Sequence, residues 1–320
     1  MKQKQVILLT VILLLAAIGL MVWDFYYKDQ SGGNPYEYRI EEFKAVNPDE
    51  LCYRKAGQFH PEIKNAKAIA LDKNDRIYIA GEDQVAIFDA DKNALAAFPI
   101  PGQALCIAID DEDRIYLGSK NRILVYDTSG ILSHSWNASG KEAWLSSIAL
   151  DGESVFVADA GKKIVYHFNK NGELINRIGE KNAEGGFQGF VIPSPHFDVA
   201  MGREGQLWVV NPGKHELLAF NKEGALFSSW ANTSMQNEGF SGCCNPGNIA
   251  LLSNGSFVTS EKGIERVKIH LPNGDYRCMV AGPDNFEPGT DHLDLAVNSN
   301  DRIFVLDAKS GMVHFFDAMD

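Results

Sequence analysis

Two histidines occupy matching places in the second half of the chain. His196 is followed two residues later by Asp198 in His-Phe-Asp-Val-Ala, and His292 by Asp294 in His-Leu-Asp-Leu-Ala. A third copy of the phrase carries Asn248 where the others carry Asp. Imidazole and carboxylate are groups that bind divalent metals or move protons near neutral pH. If the phrases converge, His196, Asp198, His292 and Asp294 form a candidate site for calcium, zinc or copper, with Asn248 beside it. The same residue types also hydrogen-bond neighbouring segments, because buried polar groups are normally satisfied.

A second oddity is Cys243-Cys244, inside Phe240-Ser241-Gly242-Cys243-Cys244-Asn245-Pro246. Four chemistries are open to it. They are a vicinal disulfide acting as a binding platform, a redox switch, a soft-metal site with His196 or His292, and two thiols paired elsewhere. Cys52, Cys106 and Cys278 complete five cysteines, which form no regular even framework of staples. The loop Thr259-Ser260-Glu261-Lys262-Gly263, with Arg266 after it, adds Glu261, Lys262 and Arg266 to the candidate ligand-binding set. Asp159, Asn211 and Asp307 stand at related places, where turn chemistry accounts for them.

These residues are positioned by a repeat. Ala68-Ile69-Ala70-Leu71, Cys106-Ile107-Ala108-Ile109 and Ser147-Ile148-Ala149-Leu150 are the first three copies of one strand. Asp198-Val199-Ala200-Met201, Asn248-Ile249-Ala250-Leu251 and Asp294-Leu295-Ala296-Val297 are the next three. Each is followed by an aromatic-aliphatic strand such as Arg76-Ile77-Tyr78-Ile79, then a third strand, then a turn such as Asn171-Gly172 or Asn273-Gly274. Asn-Gly suits the positive φ angles of a tight hairpin. A spacing of roughly 40–50 residues fits a four-stranded propeller blade. The expected fold is therefore all-β, a six-bladed β-propeller over residues 36–320.

The sixth copy ends after its third strand, leaving an open edge. Leu51-Cys52-Tyr53-Arg54-Lys55-Ala56-Gly57 is similar to the fourth strand Tyr276-Arg277-Cys278-Met279-Val280-Ala281-Gly282. The N-terminal segment is thus expected to close the ring.

The repeats resemble the NHL family of six-bladed propellers. Ser147-Ile148-Ala149-Leu150-Asp151 followed by Val157-Ala158-Asp159-Ala160-Gly161-Lys162-Lys163-Ile164-Val165 is the nearest copy. The Gly-Cys-Cys-Asn-Pro loop paired with Thr259–Gly263 is similar to a combination in some bacterial NHL proteins. The resemblance implies the fold; the family includes enzymes, sensors and scaffolds, so it implies no single activity.

Blade geometry puts the connection between second and third strands on the same side as the connection into the next blade, here called the upper face. The connections into blades four, five and six are long: Gly179 to Pro195, Ala231 to Pro246 and Ala281 to Asp291. Each contains Phe among polar residues: Phe187, Phe240 and Phe286. Long loops on a rigid scaffold are where function concentrates.

Residues 1–24 carry an apolar run from Val6 to Trp23, with Lys2 and Lys4 ahead of it. It is expected to act as an uncleaved transmembrane anchor, with the propeller on the periplasmic side of a bacterial inner membrane. A cleaved signal peptide is the rival reading. Residues 25–35 read as a flexible linker. A net charge of -12 without a basic cluster argues against nucleic-acid partners. Phosphate-binding, dinucleotide and hydrolase motifs are absent.

The expected activity is non-catalytic. It is recognition of a protein, peptide or small polar molecule on the upper face of blades four to six, as a membrane-tethered sensor or scaffold. The alternative is a metal-dependent hydrolase or lyase using the His and Asp set.

Overall fold

The repeated phrases form strands because β-branched and aromatic residues alternate with turn residues at every boundary. The computed structural model describes residues 3–28, 43–138, 140–181 and 187–319. The chain divides into two units, Met1–Glu42 and Phe43–Asp320. In the first, an α-helix spans Gln3–Lys28. Its Gln3–Asp24 portion is long and apolar enough to cross a membrane, a test that a signal sequence also passes. The expected linker is helical up to Lys28; residues 29–35, and residues 36–42 of the expected propeller, lie outside the described residues.

The second unit holds six antiparallel four-stranded sheets. Blade three is typical: Leu145–Asp151 innermost, then Ser154–Asp159, Ile164–Asn169 and, outermost, Leu174–Ile178. Its second strand is buried throughout, and most of its outer strand is exposed. The apolar run on the second strand has a physical cause. Each blade packs both faces against neighbours, so its central strands meet no water. Accordingly, six separate apolar clusters form, one between each pair of adjacent blades. The turns fit between blades as well. A Cβ on Gly172 would sit 2.7 Å from the Trp136 ring of the preceding blade, and one on Gly274 would sit 2.6 Å from Trp230. Both glycines have positive φ, so glycine answers backbone and packing together.

Blade six takes Leu293–Val297, Ile303–Asp307 and Met312–Ala318 from the end of the chain and Tyr53–Phe59 from its beginning. Tyr53 lies opposite Ala318, and Phe59 opposite Val313. The expected closure by the N-terminal strand is therefore present. It also has a covalent counterpart that the cysteine count does not suggest. Cys52 is disulfide-bonded to Cys278 in the outer strand of blade five. The backbone N–H of Cys52 donates to Met279 O, and Met319 N–H donates to Cys52 O. The segment before the first blade thus grips blades five and six together.

The bridge spans a sequence separation of 226 residues. A cross-link over so long a loop restricts the unfolded chain strongly, by about 2–5 kcal/mol of native stability. Replacing both cysteines (Cys52→Ser with Cys278→Ser) is expected to lower the urea-unfolding free energy by that amount. An unchanged midpoint and slope would show that strand pairing alone carries the closure.

Candidate functional site

The inner strands surround a central channel walled by their Ile-Ala-Leu phrases, with a cavity of about 390 Å³. The residue opening each phrase decides what the blades do with their free edges. An inner strand pairs on one side only, so its remaining N–H groups need partners. Asp198 Oδ2 accepts from Ile249 N–H of the next blade at 2.6 Å, and its Oδ1 accepts from Val199 N–H at 2.9 Å. Asp294 Oδ2 accepts from Ile69 N–H of blade one at 2.8 Å, and Asn248 Nδ2 donates to Asp294 Oδ1 at 3.2 Å. Ser147 in blade three holds the same place, its hydroxyl 3.3 Å from Val199 N–H. Asp198, Asn248 and Asp294 are therefore blade-to-blade ties.

Burial raises both carboxyls: Asp198 to about 6, and Asp294, facing the Asp198 charge as well, to about 8. At neutral pH Asp294 is mostly protonated.

The histidines do converge. The rings of His196 and His292 stack with centroids 5.6 Å apart. His292 Nε2 lies 2.9 Å from Lys67 O; a carbonyl only accepts, so Nε2 carries the proton and Nδ1 is left as an acceptor. Burial depresses both imidazoles, His196 to about 3 with help from His292, and His292 to about 4. Both are neutral at pH 7. Together with Lys67, Trp144, Ser146 and Asp291 they line a cavity of about 120 Å³ at the upper mouth of the channel. Trp144 is 37% exposed there. Among the described residues, no group of three or more His, Cys, Asp or Glu side chains is placed to hold a metal ion.

The Cys pair lies on the loop into blade five. Cys243 is exposed and Cys244 buried. Their sulfurs are 3.0 Å apart and unbonded, so the vicinal disulfide is not formed. Asn245 clamps this loop to the turn after the second strand of the same blade. Its Nδ2 donates to Ser241 O and Lys262 O, and its Oδ1 accepts from Lys262 N–H. From blade four, His215 Nε2 donates to Gly242 O. The two segments that the sequence pairs by resemblance are thus physically joined.

Glu261 and Arg266 lie in the interior of blade five. Both are about as buried as the apolar core, at 2% and 1% exposure. Glu261 ends its strand where Asp159, Asn211 and Asp307 end theirs. Those three accept backbone N–H groups from the incoming loops: Trp144, Val191 and Glu287 respectively. Glu261 instead meets Arg266 at 3.0 Å and Lys268 at 2.7 Å. Arg266 Nη1 donates to Asn237 Oδ1, and Asn237 Nδ2 to Glu50 Oε2. Tyr276 OH also donates to Glu50. Burial brings Lys268 down to about 8, against the pull of Glu261. The loop phenylalanines are likewise structural. Phe240 is fully buried, Phe286 lies against His314, and Phe187 packs on Phe190 and Phe220. Residues 182–186 of the loop into blade four lie outside the described residues.

Lys67, Trp144 and Asp291 are site residues that reading the sequence missed. Each sits one to three positions before its blade's first phrase, and that position alone marks it in the sequence.

This arrangement defines a six-bladed β-propeller with an open upper mouth. The fold is similar to that of virginiamycin B lyase from Staphylococcus aureus, with a TM-score of 0.59 and 10% identity over 83% of this chain and 100% of that one. A streptogramin B lyase gives 0.59 and 11% identity over 82% and 97%. A protein of unknown function from Bacteroides caccae gives 0.53 and 14% identity over 71% and 80%. At such identities the likeness is one of fold. No protein-family model matches the sequence, and no curated protein matches it either.

Two outcomes follow from the buried charges. Glu261→Gln leaves Arg266 and Lys268 without a counter-charge, and is expected to cost about 3–5 kcal/mol in urea unfolding. For Asp294, a folded pKa above the unfolded value near 4 means stability present at low pH and lost as pH rises towards 8. The depressed histidines act oppositely, losing stability only as pH falls below about 6.5. Between about pH 6.5 and about pH 8 the carboxyl effect stands alone among these four groups. The melting temperature of the parent should fall across that window, and Asp294→Asn should flatten the slope. Parallel slopes for the two proteins would exclude titration of Asp294.

Proposed function

We propose that this protein is a membrane-tethered binding propeller that takes a polar, side-chain-sized group of a protein, peptide or small molecule at the upper mouth. The observation that carries the reading is the small cavity in which Trp144, His196, His292, Lys67 and Asp291 meet. An exposed indole supplies an apolar platform, neutral imidazoles supply hydrogen bonds, and Lys67 and Asp291 supply charges of both signs. Its volume of about 120 Å³ suits one functional group rather than a whole polymer. The apolar helix behind Lys2 and Lys4 supports tethering with the propeller outside the cytoplasm. The Cys52–Cys278 bridge supports the same side, because disulfides persist in oxidising compartments. We also read the blades as NHL-type, on the phrase Ser147–Asp151 with Val157–Val165.

The enzyme alternative, a metal-dependent hydrolase or lyase, rests on the meeting of His196 and His292. The engagement of Asp198 and Asp294 with backbone amides weighs against it. Thermal-shift screening of the purified chain against amino acids, dipeptides and small carboxylates tests the binding reading. A stabilising compound should lose its shift in Trp144→Ala and in His196→Ala. A shift that survives both replacements would rule out this mouth. Stoichiometric calcium, zinc or copper in the same preparation, lost with His196 and His292, would favour the enzyme.

A further inference from the structure

We propose that Cys243 is a covalent capture site for low-molecular-weight thiols, which it takes up as mixed disulfides by exchange with a small-molecule disulfide. The site lies on the Cys243-Cys244 loop and does not depend on the ligand of the channel mouth.

Three features build it. First, Cys243 is exposed, so an incoming disulfide can reach its sulfur. Second, a base is in place. Cys244 Sγ lies 3.0 Å away, within reach of the Cys243 proton. Burial opposes ionisation of Cys244, but the hydrogen bond from Cys243 and the Lys262 ammonium hold its thiol below the usual range. The hydrogen bond to Cys244 holds Cys243 above that range, so of the two thiols Cys244 is the first to give up its proton. Third, the loop is braced. Asn245 ties it to the backbone of Lys262, and His215 holds Gly242 O.

The exchange balances without any further reagent. The Cys243 proton passes to Cys244, and the Cys243 thiolate attacks one sulfur of R–S–S–R. A new Cys243–S–S–R bond forms as the old S–S bond breaks. The departing RS⁻ takes the proton back from Cys244 and leaves as RSH, restoring the Cys244 thiolate. One sulfur of the reagent is reduced to a thiol, and Cys243 is oxidised to the disulfide level.

The mixed disulfide persists for a geometric reason. Release by Cys244 would close a ring between adjacent residues, whose Cα atoms are about 3.8 Å apart. Relaxed disulfides need about 4.4–6.8 Å. The strained ring is the easily reduced species, so the adduct is favoured over it. Cys106 is a built-in control. It is buried, burial pushes its thiol up, and its Sγ donates to Leu145 O.

The test uses the full chain with its Cys52–Cys278 bridge intact, glutathione disulfide as the probe, and intact mass with peptide mapping as the readout. One glutathione per chain on Cys243 is expected, with Cys106 unmodified and free glutathione released in equal amount. Cys243→Ser should abolish the adduct. Cys244→Ser and Lys262→Gln should slow it several-fold, and Lys262→Arg should restore the rate. The parent chain alone is decisive if a variant fails to fold. No adduct, an adduct on Cys244, or loss of two hydrogens without an adduct would overturn the proposal. Equal rates in the parent, Cys244→Ser and Lys262→Gln would remove the base.

Discussion

A ring of stacked blades exists only if its last interface closes, and that closure rests on one strand taken from the far end of the chain. Tyr53–Phe59 pairs with Met312–Ala318, and Phe59 joins the apolar cluster between blades six and one. Without it the third strand of blade six would be a bare edge, and the cluster behind it would lose a wall. All six interfaces depend on this step, because each blade has apolar residues on both faces. The inner ties of Asp198, Asn248, Asp294 and Ser147 then lock blades that closure has already brought into contact.

The interior handles its polar groups in two ways. At the channel mouth, the most buried groups are held uncharged. The imidazoles stay neutral and Asp294 keeps its proton, so little charge faces the low-dielectric walls. In blade five, charge is kept and matched: Glu261 faces Arg266 and Lys268, and the Lys268 ammonium also lies 4.6 Å from the Phe240 ring centre. Removing one partner from such a set is costly, because it leaves a buried charge uncompensated. That difference separates a structural network from a surface free to meet a ligand.

The six blades were legible because the Ile-Ala-Leu phrase recurs with its turns. The closing strand was legible because residues 51–57 and 276–282 are alike. The meeting of His196 and His292 followed from their equal place before an inner strand. Other features depended on contacts that no local pattern encodes. Cys52 and Cys278 are too distant in sequence, within an odd set of cysteines, to be paired by counting. Trp144 and Lys67 are single residues in short connections, without matched copies in the other blades. Glu261 and Arg266 read as a polar turn. They are buried in a network completed from elsewhere: Asn237, from the long loop into blade five, meets Arg266, and Glu50, from before the first blade, meets Asn237.

Cys52 stands one residue before the closing strand, and its sulfur is bonded to blade five rather than blade six. Tension applied to the chain from its N-terminal side therefore meets a covalent bond before it meets the hydrogen bonds of Tyr53–Phe59. The load passes into the outer strand of blade five, and the strand that closes the ring is left out of the path. Glu50, held by Asn237 and Tyr276, is a polar clasp ahead of that bond. A ring built in this way can be pulled without being unzipped.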